Sequence, residues 1–251
     1  MNLFKWVIRP YLYIQYMVSS ILKTGGFTKS RAVYRKEPCR NTGNSIKDGL
    51  FRHHVKQFHE SSCSVASVVS VINVLLERQG AAPASPLTQQ DLLEAVKTAH
   101  WKERMTDEGY KGRRGLPLPV LGEVVKGSLD AYGIHYKALE IVQVSKNPEK
   151  SEPLKQTLRA RLDQFESQGD CVIIAHFDQG SVLPELHIPH ISPVGGYDPT
   201  SGRVTFLDVD PDQLHPYQVS FEAFYESLSS NYNPVFRHFG YAEGGYVFIQ
   251  V

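Results

Sequence analysis

Between residues 64 and 131 the apolar positions recur at helical spacing. Val65, Val68, Val69, Ile72, Leu75 and Leu76 form one stripe from Ser64 onward, ended by the glycine- and proline-bearing residues 80–86. Thr88-Gln89-Gln90-Asp91 has the form of a capping box, with Asp in place of Glu, and opens a second helix through Leu92, Leu93 and Val96. Residues 100–116 are charged and glycine-containing and read as a surface loop. Leu118, Leu121, Val124, Val125 and Leu129 restore the helical spacing as far as Ala131. Residues 134–144 alternate as a strand does, and residues 153–168 return to the helical period. Beyond Gly169-Asp170 the character changes. Residues 172–177, 203–208 and 245–249 are strand-like and separated by turn residues, with a short helix over 220–228. Helices first and strands later predict an α+β fold rather than a βαβ alternation.

The chain ahead of these elements is patterned differently. Residues 10–22 are thirteen uncharged positions, short of the ~20 needed to span a bilayer. Lys5 and Arg9 before them resemble the basic start of a signal peptide, but no small-x-small cleavage site follows. Aromatic residues beside basic ones fit an interfacial helix on an anionic membrane. Snorkelling of Lys5 and Arg9 would instead let the stretch insert, and docking on the body or on a partner chain is a third reading. Contact of residues 1–30 with an anionic membrane surface is the reading preferred here. Residues 23–50, rich in Gly, Ser, Asn and charge, read as a linker. The chain thus divides into an apolar, basic arm over 1–32 and a body over 33–251.

Charge sharpens that division. Residues 1–56 hold eleven Lys/Arg and two Asp/Glu, for +9, whereas residues 57–251 hold sixteen and twenty-four, for −8. A basic arm on an acidic body suits an anionic partner for the arm. It argues against nucleic-acid binding, which would need a basic body. A hydrophobic content of 41% excludes a disordered or collagen-like chain, and the absence of long apolar runs excludes a multi-span membrane protein. A cytoplasmic or membrane-associated location is expected, with export on an uncleaved segment left open. The oligomeric state is not legible.

The three cysteines are Cys39, Cys63 and Cys171, odd in number and without CxxC spacing, so neither a disulfide framework nor a four-cysteine zinc site is indicated. Cys171 in Cys171-Val172-Ile173-Ile174 reads as a buried strand thiol. Cys39 lies in a polar loop and receives no role. Cys63 opens the helical stripe, where partial positive charge and free N–H groups favour a thiolate. Its flanks Glu60-Ser61-Ser62 and Ser64 are polar and speak against deep burial.

A cysteine nucleophile needs a base and an orienting group. Among the ten histidines, His53, His54 and His59 lie near Cys63 in sequence, while His176, His187 and His190 lie around the first late strands. Asp208 ends an apolar strand, where a carboxylate has no packing reason to be. His190 and Asp208 flank a hairpin-like unit that turns at Asp198-Pro199-Thr200-Ser201-Gly202, so strand pairing would set them side by side. Cys63, His190 and Asp208 are therefore the candidate triad, in the arrangement of papain-like enzymes. Gln57, six residues before Cys63, is the candidate second oxyanion donor beside the Cys63 N–H. His187, His190, Asp208, Asp210 and Asp212 offer a different reading as metal ligands. A third is an inert membrane adaptor on the same fold.

His190-Ile191-Ser192-Pro193-Val194-Gly195-Gly196-Tyr197, followed by Phe206-Leu207-Asp208-Val209, resembles the His-Phe-Ser-Pro-Ile-Gly-Gly-Tyr … Leu-Asp-Val signature of phytochelatin synthases. Gln57, Cys63, Ala66 and Ser67 resemble that family's Gln-x5-Cys-Gly-x-Ala-Ser stretch. Val33-Tyr34-Arg35-Lys36-Glu37-Pro38 resembles its early Tyr-Arg-Arg-x-x-Pro run, and Gly115-Leu116-Pro117-Leu118 the Gly-Leu-Thr-Leu opening of a family helix. The resemblance implies a papain-like fold with Cys63, His190 and Asp208 catalytic and Gln57 in the oxyanion hole. It implies a small thiol peptide as substrate: glutathione would lose glycine, leaving a γ-glutamylcysteinyl group on Cys63 for water or a second glutathione to take. No cofactor is implied for hydrolysis; heavy-metal ions such as cadmium and zinc are implied as thiolate-bound activators. Without the plant-type Cys-rich region, the chain is expected to follow the short bacterial members, which resemble hydrolases more than polymer-making synthases.

Three positions depart from the family pattern. Ser64 replaces the Gly after the nucleophile, Asp210-Pro211 stands in place of Ala-Arg, and Glu243-Gly244-Gly245-Tyr246 in place of an Arg-Arg-Gly-aromatic run. A glutathione site needs cations for two carboxylates. Arg237 is the nearest arginine upstream of that last run.

Overall fold

The computed structural model describes residues 3–29, 31–35, 42–229 and 234–251; the side chains of residues 3–6 and 234 lie outside that description. Lys36-Glu37-Pro38 and Cys39 also lie outside the described residues.

The strand-like segments of the second half form one antiparallel sheet. Its strands are β1 (Val33–Tyr34), β2 (Ala138–Gln143), β3 (Cys171–Asp178), β4 (Pro189–Asp198), β5 (Arg203–Phe206), β6 (Tyr217–Ser220) and β7 (Gly245–Gln250), in the order β1-β6-β5-β4-β3-β7-β2. Every position of β3 is buried. That explains its unbroken apolar run, because a strand covered on both faces has no solvent side to make polar. On β4, Gly195 sits at a bulge between Val194 and Gly196. A Cβ there would lie 2.6 Å from Leu207 Cγ, so only glycine admits the close approach of the two segments.

The helices are α1 (Leu3–Leu22), α2 (Ser45–His53), α3 (Cys63–Arg78), α4 (Gln89–Ala95), α5 (Trp101–Arg104), α6 (Leu118–Ala131), α7 (Pro148–Gln168), α8 (Phe221–Leu228) and α9 (Pro234–Arg237). The central helix α3 packs on β4, and α7 and α8 pack on β3, which makes the layered α+β architecture expected from the order of elements. The capping box forms as read: Thr88 accepts from the Asp91 N–H, and Asp91 accepts from the Thr88 N–H. Helix α6 has the bounds its periodicity gave. Helix α7 starts five residues earlier than expected, because Asn147 caps Glu149 N and Pro148 suits the first turn.

Two expectations fail. The linker over 23–50 holds the first six residues of α2, capped by Asn44, whose Oδ1 accepts from Lys47 N at 2.9 Å and whose Nδ2 donates to Phe165 O at 2.7 Å. Two buried side chains, Ile46 and Leu50, suffice to hold a helix that composition alone reads as loop. The same linker supplies edge strand β1, paired to β6. The loop over 100–116 is not wholly at the surface either. It contains α5, and its Trp101, Met105, Arg104 and Leu116 are buried. Trp101 Nε1 donates to Ser64 Oγ at 3.0 Å, so the residue that departs from the family pattern receives a structural partner.

Helix α1 packs on the body through Leu12 and Ser19. Its C-terminal end is fixed by Gly25-Gly26-Phe27. A Cβ on Gly26 would fall 1.7 Å from the Leu183 carbonyl oxygen, so the backbones meet with no room for a side chain. Tyr16 closes edge-on over Phe27, with ring centroids 5.1 Å apart. No helix among the described residues is long and apolar enough to cross a membrane.

Candidate active site

Cys63 is the first residue of α3 and is nearly buried, and so are Ser61, Ser62 and Ser64, against the expectation from their polarity. Each hydroxyl has a partner, Ser61 in Arg114, Ser62 in His59 and Ser64 in Trp101, which lowers the cost of burying them. Ser62 Oγ donates to His59 O at 2.8 Å and accepts from His59 N at 2.9 Å, making the tight turn that delivers the chain into α3. One turn on, Ser67 Oγ lies 2.8 Å from Cys63 O and 2.9 Å from Ile191 O. This hydroxyl joins the first turn of α3 to the strand residue beside His190.

His190 is buried on β4, and its Nε2 donates to Asp208 Oδ1 at 2.7 Å. That leaves Nδ1 for the thiol, and Cys63 is near enough to act on the charge of the ring. Burial opposes a charged imidazole. The Asp208 charge and hydrogen bond, followed by Cys63, outweigh it and hold His190 protonated well above its ordinary 6.5. Asp208 lies just beyond β5. Burial pushes its carboxyl up, but the His190 charge and the surrounding donors more than offset this and hold it down at about 2. Those donors are His190, Tyr217 Oη to Oδ2 at 2.7 Å and Asp210 N to Oδ1 at 2.9 Å. Lys56 Nζ donates to the Asp208 carbonyl at 2.6 Å and to Gln213 O at 2.6 Å, clamping the turn from outside.

The structure therefore brings Cys63, His190 and Asp208 into one contiguous chain of contacts. Gln57 is tied to the same corner by its main chain, whose N–H donates to Val209 O at 2.8 Å. Its Oε1 is buried with no partner among the described residues. Tyr217 and Lys56 were not anticipated. Tyr217 sits in a strand too short to stand out by period, and Lys56 acts through main-chain carbonyls that no motif encodes.

On its other side Cys63 faces a cavity of about 320 Å³. Its walls come from three places: Ile8, Arg9 and Leu12 of α1; Arg114, Gly115 and Leu116 of the loop before α6; and Leu186, Ile188 and Ile191 around the start of β4. Phe236, Phe239 and Tyr241 close it. His176 supports the wall by donating Nε2–H to Leu116 O at 3.0 Å; burial pushes its pKa down to about 4, so it is a neutral scaffold group. Two cations reach this cavity. Arg114 pairs with Glu60 at 2.6 Å and donates to Ser61 Oγ at 2.8 Å, and Arg9 approaches the same Glu60 at 3.7 Å. The positions that depart from the family's arginines are used differently: Asp210 accepts from Gln179 Nε2 at 2.8 Å and orients Asp208.

Other candidates separate from this site. His187 Nδ1 donates to Asp178 Oδ2 at 2.8 Å, away from Asp208. His187, His190, Asp208, Asp210 and Asp212 do not gather as metal ligands. Among the described residues the one group of three or more with ligand atoms within 4.8 Å is His59, Glu60 and Asp107, and Glu60 there is already engaged by arginine. The pKa of the Cys171 thiol is pushed up to about 12 by burial, consistent with an inert strand cysteine.

A search of the curated proteins returned no match. The sequence profile described as phytochelatin synthase matches residues 45–241, from the start of α2 to Tyr241 at the cavity wall. That span carries every member of the Cys63 corner, and the chain belongs to the phytochelatin synthase family, papain-like enzymes of γ-glutamylcysteine transfer or peptidase type.

Proposed function

We propose that this chain is a cysteine-dependent acyltransferase or hydrolase acting on glutathione or a related γ-glutamyl thiol peptide. The observation that carries the reading is the contact chain from the Cys63 thiol through His190 to an ionised Asp208, opening on a cavity. Cys63 Sγ attacks the carbonyl carbon of the Cys–Gly bond. The negative charge on that oxygen is met by the Cys63 N–H, which the helix leaves without an intrahelical acceptor, and by the Gln57 side chain. His190 gives its proton to the departing glycine nitrogen as the C–N bond breaks, leaving a γ-glutamylcysteinyl thioester. Water, or the amine of a second thiol peptide, then attacks the thioester and His190 takes the proton, restoring the thiol pair. Asp208 keeps the imidazole in the tautomer and orientation that serve both steps.

Arg114 and Arg9 are the cations positioned for substrate carboxylates in place of the family's arginines. A heavy-metal ion enters this scheme on the substrate thiolates, as part of the acyl acceptor. The His59 group does not suit a resident ion, because Glu60 is held by Arg114. The apolar wall of Leu12, Leu116, Leu186 and Phe236 favours a second reading, a papain-fold peptidase whose substrate carries an apolar group.

The test is glycine release from glutathione, with and without cadmium, alongside mass spectrometry of Cys63. The expected result is free glycine and a γ-glutamylcysteinyl adduct on Cys63. Adducts from peptides lacking the γ-glutamyl group, with none from glutathione, would favour the second reading. No adduct from any thiol peptide would reject both.

A further inference from the structure

Helix α1 has two apolar faces, and only one is used. The inner face, through Ile8, Leu12 and Ser19, meets the body and walls the Cys63 cavity. The outer face carries Val7, Tyr11, Ile14, Val18 and Ile21 at alternating spacings of four and three residues, which is one continuous stripe on a helix. These side chains are well exposed: 65% for Val7, 63% for Ile14 and 74% for Ile21. Tyr13, Met17 and Leu22 widen the stripe. Among the described residues, eight of the thirteen exposed large apolar side chains lie on this one helix. So concentrated a patch marks an interaction surface.

Charge decides what covers it. Residues 3–35 contain six Lys/Arg and no Asp/Glu, and the body beyond is acidic. Lys23 and Lys29 are exposed just past the end of α1. An apolar stripe bordered by cations, with no acid on the segment, matches the apolar boundary and negative headgroups of an anionic bilayer. Spanning is ruled out by the inner face, which is committed to the protein, so the helix would lie in the plane of the interface.

We propose that α1 docks its outer face flat on an anionic lipid surface while its inner face continues to wall the cavity beside Cys63. The membrane contact and the substrate cavity are then back to back on one helix, and docking needs no release of α1 from the body.

The experiment is co-sedimentation of the full chain with phosphatidylglycerol–phosphatidylcholine vesicles and with phosphatidylcholine vesicles, at low and high salt. Expected are binding to the anionic vesicles, little to the neutral ones, and weakening by salt. The variant I14S/V18S/I21S is expected to lower binding about a hundredfold or more and to keep its activity, since those side chains face away from the cavity. K23Q/K29Q, at exposed positions where misfolding is not a concern, is expected to lower binding roughly tenfold. Failure of the wild type to bind anionic vesicles would overturn the proposal. So would equal, salt-independent binding to both vesicle types. A concentration-dependent dimer that I14S/V18S/I21S abolishes, without vesicle binding, would assign the stripe to a second copy of the chain instead.

Discussion

The two sides of Cys63 are built by opposite means. Toward His190 the structure is a closed polar corner. Asp208 receives donors from His190, Tyr217 and the Asp210 N–H, and its own carbonyl is clamped by Lys56. Toward the cavity the walls are mostly apolar, with Arg114 and Arg9 sharing one acid, Glu60. The corner lies entirely within the span matched to the family, whereas Ile8, Arg9 and Leu12 of the cavity lie outside it. A corner fixed by this many buried hydrogen bonds tolerates little change. A wall made mostly of packing, with two arginines drawn to one acid, depends less on any single hydrogen bond. The difference teaches that the hydrogen-bonded corner falls within the family's span while part of the cavity wall is built from residues outside it.

Five variants would break or sharpen that contrast. Cys63→Ala should abolish glycine release, a loss of more than roughly ten-thousandfold by analogy with other nucleophile deletions. Its far-ultraviolet circular dichroism should be unchanged, since the thiol is not what holds α3. Next in size, Asp208→Asn should lower kcat by about a hundredfold to ten-thousandfold by presenting the wrong partner to Nε2. It should also alter stability with pH. The contribution of the depressed Asp208 carboxyl is fully present above its unfolded value of 3.8 and is lost as pH falls toward about 2, so urea midpoints of the wild type should drop through that window. The Asn variant should lose that component. The raised His190 acts with the opposite sign: its contribution is complete below 6.5 and fades as pH rises through its folded value.

Tyr217→Phe leaves a charged acceptor short of one buried donor and should cost about 1–3 kcal/mol in denaturant unfolding, with a smaller loss of kcat. The smallest effects belong to the cavity side. Arg114→Ala should raise KM for an anionic peptide about tenfold with kcat nearly kept, the pattern of a lost ground-state contact. Gly26→Ala, which cannot fit against Leu183, should loosen α1, increase proteolysis between α1 and α2, and change KM rather than kcat. A large fall in kcat with KM unchanged in either variant would contradict the division drawn between the two sides.

What the sequence made legible follows the same line. Helices α3 and α6 stand out because a single apolar stripe decides them. The capping box of α4 is legible because its hydrogen bonds are local. Asp208 is conspicuous because a carboxylate at the end of an apolar strand has no packing role. The failures involve partners distant in the chain. Helix α2 depends on Asn44 reaching Phe165, and β1 exists only because β6 lies beside it. Trp101 is buried because Ser64 offers its indole an acceptor, in a segment whose charge suggests solvent. Arg114 reads as one more loop cation until folding brings it beside Glu60.

The Ser67 hydroxyl has a mechanical consequence. Its one proton is shared between two main-chain carbonyls within reach, that of Cys63 and that of the neighbour of His190. The gap between sulfur and imidazole is therefore gauged by backbone held to backbone, and side-chain motion in the cavity has little leverage over it. Under the proposed function, substrates of different bulk would press on the outer wall without prying Cys63 and His190 apart.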